Sequence, residues 1–180
     1  MMMMAQELKH VLSIEINAPI QAVWREITKR GEYCAFMFGT VFHSSMQNGA
    51  PYRYSSKNGK YSFVAGDVVE VQEPTKFSYT FAFTQLDDAP ALATWELEDL
   101  GGNRTRVTIT HSGFDGETKT YKMTGKGWKQ ILQNLKDTCE MGKVSFGQRM
   151  QLGMMSMFTF MMPKRCLTKN VEARRAKQTA

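Results

Sequence analysis

A chain of 180 residues, 42% hydrophobic and 22% charged, has the size and composition of one ordinary globular domain. This balance excludes a largely disordered or fibrous protein. Lysine and arginine outnumber acidic residues by 23 to 17, and the basic residues are densest near the C-terminus. They do not interleave with aromatic residues as in a base-stacking platform, so no nucleic-acid partner is predicted.

The first predicted element is a strand, because apolar and polar residues alternate from Leu12 to Ile16. A short helix follows from Pro19, since a proline in the first helical turn gives up no intrahelical hydrogen bond. Gly31 ends that helix. A second short helix or turn is predicted for residues 33–38.

From Thr40 to His111 the apolar period changes to two, which predicts a series of strands. In residues 77–84, for example, aromatic residues alternate with serine, threonine and alanine. Turn sequences such as KNGK, EPTK and GGNR separate the runs, so neighbouring strands should pair antiparallel. One face of this sheet is apolar and aromatic, and it must be covered.

A long helix that opens at Gly127-Trp128 is predicted to cover the apolar face. Trp128, Ile131, Leu132 and Leu135 recur at spacings of three and four, which gives one apolar stripe. The residues before it, including Gly125, are interpreted as a flexible approach. The predicted fold class is α+β, with a curved antiparallel sheet of about seven strands wrapped on a long C-terminal helix.

Three segments in this order resemble a known family. A G-x-V-x-E-V-x-x-P pattern runs from Gly66 to Pro74, a strand ends in H-x-G-F at His111 to Phe114, and a helix opens with Gly127-Trp128. Together they are similar to the branch of the START, pollen-allergen and polyketide-cyclase superfamily (SRPBCC) that is named after the activator of the heat-shock protein 90 ATPase. The resemblance implies a helix-grip fold with two short helices after the first strand. We place this domain at residues 8–142 and a Met-rich helical appendage with a basic tail at residues 143–180.

The resemblance also implies an apolar cavity between the sheet and the long helix, where a small hydrophobic molecule, lipid-like or aromatic, would bind. Each aromatic residue near such a cavity also has a simpler role in core packing. The candidate ligand-binding residues are Trp24, Phe36, Phe38, Tyr52, Tyr54, Phe63, Tyr79, Phe81, Trp95, His111, Met123, Trp128 and Ile131.

Among these residues, His111 has two alternative roles. Its ring either orients a polar group of the ligand or acts as an acid or base, because its charge changes near neutral pH. The favoured alternative is structural, with the ring hydrogen-bonded to the backbone of the turn at Ser112 to Phe114.

No catalytic residue, metal site or cofactor is predicted. Cys34, Cys139 and Cys166 are widely spaced, odd in number and free of metal-ligand spacing, which is typical of reduced thiols in the cytoplasm. The N-terminal residues lack the features of a signal peptide. The favoured function is binding of a small hydrophobic ligand. The alternatives are a stress-related or co-chaperone-like interaction module that uses the outer surface and the appendage and, third, a cyclase- or hydrolase-type enzyme.

The segment from Met150 to Met162 is nearly all apolar. At about 1.5 Å per residue it is too short to cross a bilayer core of about 30 Å. Three alternatives remain for the wider segment 144–162. The favoured one is packing on the domain or on a second copy in a homodimer. The others are peripheral contact with a membrane and, third, binding of a partner protein or closure of the cavity as a lid. The basic residues from Lys164 to Lys177 are expected to form a solvated, partly frayed end.

Overall fold

The structure is a computed structural model that describes residues 6–180. These residues contain eight strands and four α-helices, with single turns of 3-10 helix at Ala35–Met37, Thr159–Met161 and Lys164–Cys166. The strands are β1 (His10–Ile16), β2 (Tyr33–Cys34), β3 (Thr40–Ser44), β4 (Pro51–Ser55), β5 (Ser62–Gln72), β6 (Lys76–Phe83), β7 (Ala91–Gly101) and β8 (Arg104–Ser112). The helices are α1 (Ile20–Thr28), α2 (Lys119–Met141), α3 (Phe146–Met157) and α4 (Thr168–Gln178).

All eight strands form one antiparallel sheet in the order β1-β8-β7-β6-β5-β4-β3-β2. The sheet curls around α2, so the predicted α+β class and helix-grip fold are confirmed. There are eight strands, and not about seven. The additional strand is β2, whose two residues are too few to show an alternating pattern. The predicted second helix is the 3-10 turn at Ala35–Met37.

A glycine in the middle of β5 permits a close approach between the central strands. A Cβ atom on Gly66 would lie only 2.0 Å from the backbone oxygen of Thr80. Opposite Gly66, Tyr52 donates its hydroxyl to that same oxygen at 2.7 Å. Any side chain at residue 66 would therefore push β5 and β6 apart.

Helix α2 packs its apolar stripe into the concave face, where Trp128, Ile131, Leu132 and Leu135 are all buried. The predicted helix start at Gly127 was wrong by two turns, because the helix begins at Lys119 and the Thr118 hydroxyl accepts the Tyr121 N–H. Gly125 is thus a helical residue and not a flexible approach. A Cβ atom there would lie 3.0 Å from the His10 ring. The lack of a side chain at Gly125 therefore allows β1 to approach the helix closely.

The basic tail is not frayed, which corrects the prediction made for Lys164 to Lys177. Helix α4 lies on the outer face of the sheet, where Arg175 pairs with Asp67 at 2.5 Å and Arg53 pairs with Glu172 at 3.3 Å. Its first residue, Thr168, donates its hydroxyl to Gly59 O at 2.6 Å. The acidic partner on β5 is remote in sequence, so the tail seen alone gave no sign of it.

The Met-rich segment forms α3 and the following 3-10 turn. Val144, Gln148 and Leu152 are buried, whereas most of its methionines and phenylalanines are exposed. The favoured prediction of packing on the domain therefore applies to one narrow face of α3 only. Within residues 6–180 no helix is long and apolar enough to span a membrane.

The fold predicts an unequal response to two substitutions in α2. Leu135→Ala should lower the free energy of unfolding by about 2–5 kcal/mol, because the buried side chain leaves a cavity against the sheet. The control Gln133→Ala, on the exposed face of the same helix, should change it by no more than about 0.5 kcal/mol. Urea denaturation followed by circular dichroism measures both. Equal losses would contradict this orientation of α2.

Candidate functional site

All but one of the predicted ligand-binding residues lie in or at the margin of the interior between the sheet and α2. Phe38 and Phe63 are half-buried at its margin, and Met123 lies apart on the outer surface of α2 with 45% of its area exposed. The buried members are Trp24, Phe36, Tyr52, Tyr54, Tyr79, Phe81, Trp95, His111, Trp128 and Ile131.

Buried tyrosines line one end of this interior, between β4 and β6. The rings of Tyr52 and Tyr79 meet at 4.8 Å between centroids, and Tyr54 packs on Phe42 at 4.9 Å. Tyr79 accepts a hydrogen bond from the Trp95 indole at 3.1 Å. The Tyr54 hydroxyl lies beside that of Tyr79 but has no hydrogen-bond partner within residues 6–180. Burial raises the pKa of Tyr52 and Tyr54, so both hydroxyls stay protonated and uncharged.

The other end of the interior is built around His111 at the end of β8. The Trp128 indole donates to His111 Nδ1 at 2.9 Å, and the two rings meet edge to face at 5.6 Å. Phe81 and Phe114 contact the imidazole at centroid distances of 4.9 and 4.5 Å. The predicted hydrogen bond from His111 to the turn backbone is wrong, because α2 supplies its partner from Trp128.

This hydrogen bond fixes the tautomer of His111. An indole N–H can only donate, so Nδ1 must accept and the imidazole proton must lie on Nε2. Nε2 is buried and has no hydrogen-bond partner among the described residues. The interior therefore contains an N–H donor without an acceptor, which is costly unless another molecule supplies one.

The charge state of His111 follows from the same surroundings. Burial, with a smaller contribution from the neighbouring His10, lowers the pKa of His111 to about 3. The ring is neutral at physiological pH. It can donate a hydrogen bond, but it is poorly suited to accept a proton from a substrate.

A second histidine, missed by the sequence analysis, lies on the same face of the sheet. His10 pairs with His111 in the register of β1 and β8. Its ring stacks on Tyr121 at 4.5 Å, and its Nε2 lies 2.7 Å from the Tyr121 backbone oxygen. Its position two residues before Leu12 on the alternating strand was the available signal. Together with Phe114, these residues surround the N-terminal end of α2.

The cysteines offer little chemistry. Cys34 and Cys166 are buried and Cys139 is half-buried, all as free thiols. Burial raises the pKa of Cys34 to about 11 and that of Cys139 to about 12, so neither supplies a thiolate at neutral pH. Within residues 6–180 no three histidine, cysteine or acidic side chains come together as a metal-binding group.

Two concave surfaces lie outside the aromatic interior. The first is a groove of about 560 Å³ between the edge strand β1 and α2, and the second is a depression of about 530 Å³ between α4 and the outer face of the sheet. The first groove is lined by Leu12, Ser13, Ile14, Lys126, Lys129, Gln130, Leu132 and Gln133.

Residues 17–140, more than half of the chain, match the family model described as activator of Hsp90 ATPase homolog 1-like protein. The chain belongs to this family. The family predicted from the three sequence segments is thus confirmed. No curated protein matches the chain significantly.

Several solved structures share the fold of this chain. PFC0360w, an Hsp90 activator from Plasmodium falciparum, superposes with a TM-score of 0.62 at 16% identity over 76% of this chain and 97% of that one. The Aha1 dimer from Colwellia psychrerythraea gives 0.61 at 19% identity, over 75% and 98%. CalU16 from Micromonospora echinospora gives 0.61 at 14% identity, over 82% and 83%. At these identities the likeness shows the fold.

The region matched by the family model contains most of the aromatic interior but not all of the chain. It includes His111 and Trp128, and it ends at residue 140, one residue before the end of α2. His10, α3 and α4 lie outside the matched region. What these outer elements do must be inferred from this chain itself.

The buried neutral state of His111 predicts a dependence of stability on pH. Above pH 6.5 the ring is neutral in both the folded and unfolded states, and it adds no pH dependence. As the pH falls from 6.5 towards 3, the unfolded state binds a proton that the folded state excludes. The free energy of unfolding should then fall by up to about 1.4 kcal/mol per pH unit from this residue.

Urea denaturation at several pH values, compared with His111→Gln, measures this contribution. The glutamine retains an acceptor for Trp128 but does not titrate, so its curve should fall less steeply between pH 6 and pH 4. Parallel curves for the two proteins would contradict a buried neutral histidine.

Proposed function

We propose that the protein binds a small, mostly apolar molecule carrying one hydrogen-bond acceptor, in the interior between the sheet and α2. The observation that supports this most directly is the buried, unpartnered Nε2–H of His111. A carbonyl, ether or quinone oxygen placed against Nε2 would satisfy it. The surrounding rings of Phe81, Trp95 and Trp128 suit an aromatic or lipid-like body.

A ligand would reach His111 most directly by displacing Phe114. This residue covers the imidazole but is itself only half-buried, and it lies in the segment between β8 and α2. Gly113 and Gly116 on either side of it have positive φ angles of 74° and 82°, so their backbone is already in the region that glycine tolerates. Movement of this one segment would open the interior without unpairing the sheet.

Two naphthalenes of similar shape test the proposed hydrogen bond. 2-Acetylnaphthalene carries a carbonyl acceptor and 2-ethylnaphthalene does not, and binding of either is measured by quenching of the buried tryptophans. The ketone should bind about tenfold more tightly, as expected for one hydrogen bond to a buried donor. His111→Phe should abolish this preference while retaining the apolar contacts. A preference that survives in His111→Phe would overturn the role of this residue.

Filling the interior provides a separate test. Ala93 is buried opposite His111 in the register, so Ala93→Trp should prevent uptake of both naphthalenes. The control Glu96→Trp adds the same ring to the exposed face of the same strand and should leave binding unchanged. Thermal unfolding checks that both variants fold. Undiminished uptake by folded Ala93→Trp would place the ligand elsewhere.

A co-chaperone-like role is the second candidate, favoured by a basic stripe on α2. Exposed lysines recur at three- and four-residue spacings, and no acidic residue occurs in α2 before Asp137. The stripe borders the groove that contains Leu12 and Ile14. This combination suits an acidic protein partner with an apolar anchor. Its residues are Lys119, Lys122, Lys126 and Lys129.

Binding to an ATPase of the heat-shock protein 90 class tests this second role. Lys126→Glu with Lys129→Glu should abolish an interaction and any stimulation of ATP hydrolysis, because two charges at the groove are reversed. The control pair Lys57→Glu and Lys177→Glu changes the net charge equally but lies outside α2. Isothermal calorimetry and an ATPase assay give the readouts. Equal weakening by both pairs would show only a general charge effect.

A further inference from the structure

A large apolar surface on α3 and the turn after it remains uncovered. We call it the apolar ridge, and each of its side chains is between 55% and 73% exposed. So many adjacent exposed apolar residues are uncommon unless they contact another surface. The ridge consists of Phe146, Met150, Met154, Met157, Phe158, Phe160 and Met161.

The ridge faces away from the domain. At about 100° per residue, Phe146, Met150, Met154 and Met157 share one side of α3, and the buried Gln148 and Leu152 lie on the opposite side. Because α3 already packs through that opposite side, the ridge cannot turn inward without exposing Leu152.

Both ends of the ridge segment are fixed to the folded domain. Gly142 closes α2 in the left-handed conformation, and its N–H bonds to the Thr138 oxygen. Beyond the ridge, Arg165 pairs with Asp87 at 2.6 Å, and Arg165 Nε donates to the Thr84 oxygen at 3.0 Å. The ridge is therefore a projection held at two points.

The chain segment that carries the ridge has charged side chains of one sign only. From residue 141 to residue 171 the chain contains no aspartate or glutamate. Lys143, Arg149, Lys164 and Lys169 are exposed in this interval, and Arg149 lies 5.7 Å from the centre of the Phe146 ring. A two-fold contact between two copies through the ridge would bring these like charges together, which opposes self-association. An anionic surface complements them.

We propose that the apolar ridge docks the protein on the surface of an anionic lipid bilayer. Phe158 and Phe160 enter the boundary between headgroups and acyl chains, and Lys143, Arg149 and Lys164 contact lipid phosphates. Methionine side chains are flexible and adapt to a disordered lipid surface. The segment is too short to cross the bilayer, so it lies along the interface. This inference is independent of any ligand in the interior.

Sedimentation with vesicles tests the docking. The full chain should sediment with vesicles of phosphatidylcholine and phosphatidylglycerol in equal amounts, less with phosphatidylcholine alone, and less again at high salt. Phe158→Ser with Phe160→Ser should reduce the partition coefficient at least about tenfold, because two aromatic anchors are lost. The control pair Val11→Ser and Val69→Ser removes two exposed apolar residues from the sheet and should have no effect.

Depth-dependent quenching adds a readout specific to the ridge. The three native tryptophans, Trp24, Trp95 and Trp128, are at most 5% exposed and should not be quenched by brominated acyl chains. Phe160→Trp should be quenched on binding to the anionic vesicles.

Three outcomes would overturn the proposal. The first is absence of sedimentation with either vesicle. The second is equal binding to neutral vesicles, which would exclude the role of the basic residues. The third is a concentration-dependent dimer, seen by analytical ultracentrifugation without lipid and lost in Phe158→Ser with Phe160→Ser, which would assign the ridge to a second copy of the chain.

Discussion

The hydrogen bond from Trp128 to His111 joins the two halves of this fold. The sheet curls with an aromatic inner face, and α2 covers that face by placing Trp128 between Trp95 and His111. Edge-to-face packing positions the rings, and the buried hydrogen bond fixes their orientation. It also determines which nitrogen of His111 carries the proton. The same contact that closes the core thus leaves a donor free inside it, and the proposed ligand site depends on that donor.

Much of the fold could be predicted from the sequence because two periodicities dominate it. A period of two from Thr40 to His111 requires a one-sided sheet, and the spacing of three and four from Trp128 to Leu135 requires a helix to cover it. The start of α2 and the place of α4 were mispredicted. A glycine at residue 125 indicates a break in the helix unless the close approach of the His10 ring is known. The basic residues of the tail likewise indicate a solvated chain end unless the ion pair with Asp67 is known. Both depend on contacts between residues far apart in the chain.

The candidate site could also be predicted only in part from the sequence. Alternation along the strands was enough to bring most of the aromatic residues to one interior, although Met123 lies outside it. Alternation could not show that His111 lacks a partner for Nε2, because hydrogen-bond satisfaction is a property of the assembled core. Nor could it show that α3 turns its methionines outward. The length of an apolar run indicates how much apolar surface needs a partner, but it does not identify that partner.

Helices α2 and α4 pack on opposite faces of the sheet, and different forces attach them. Apolar burial attaches α2, whereas α4 is attached largely by ion pairs and polar contacts, including the part-exposed pair of Arg175 with Asp67. Added sulfate would strengthen the first attachment and screen the second. A kosmotropic salt should thus tighten the core while it loosens the outer helix. The exposed ion pair of Arg165 with Asp87, which anchors the far end of the apolar ridge, is screened in the same way. The ionic composition of the medium would therefore also set how firmly that projection is held.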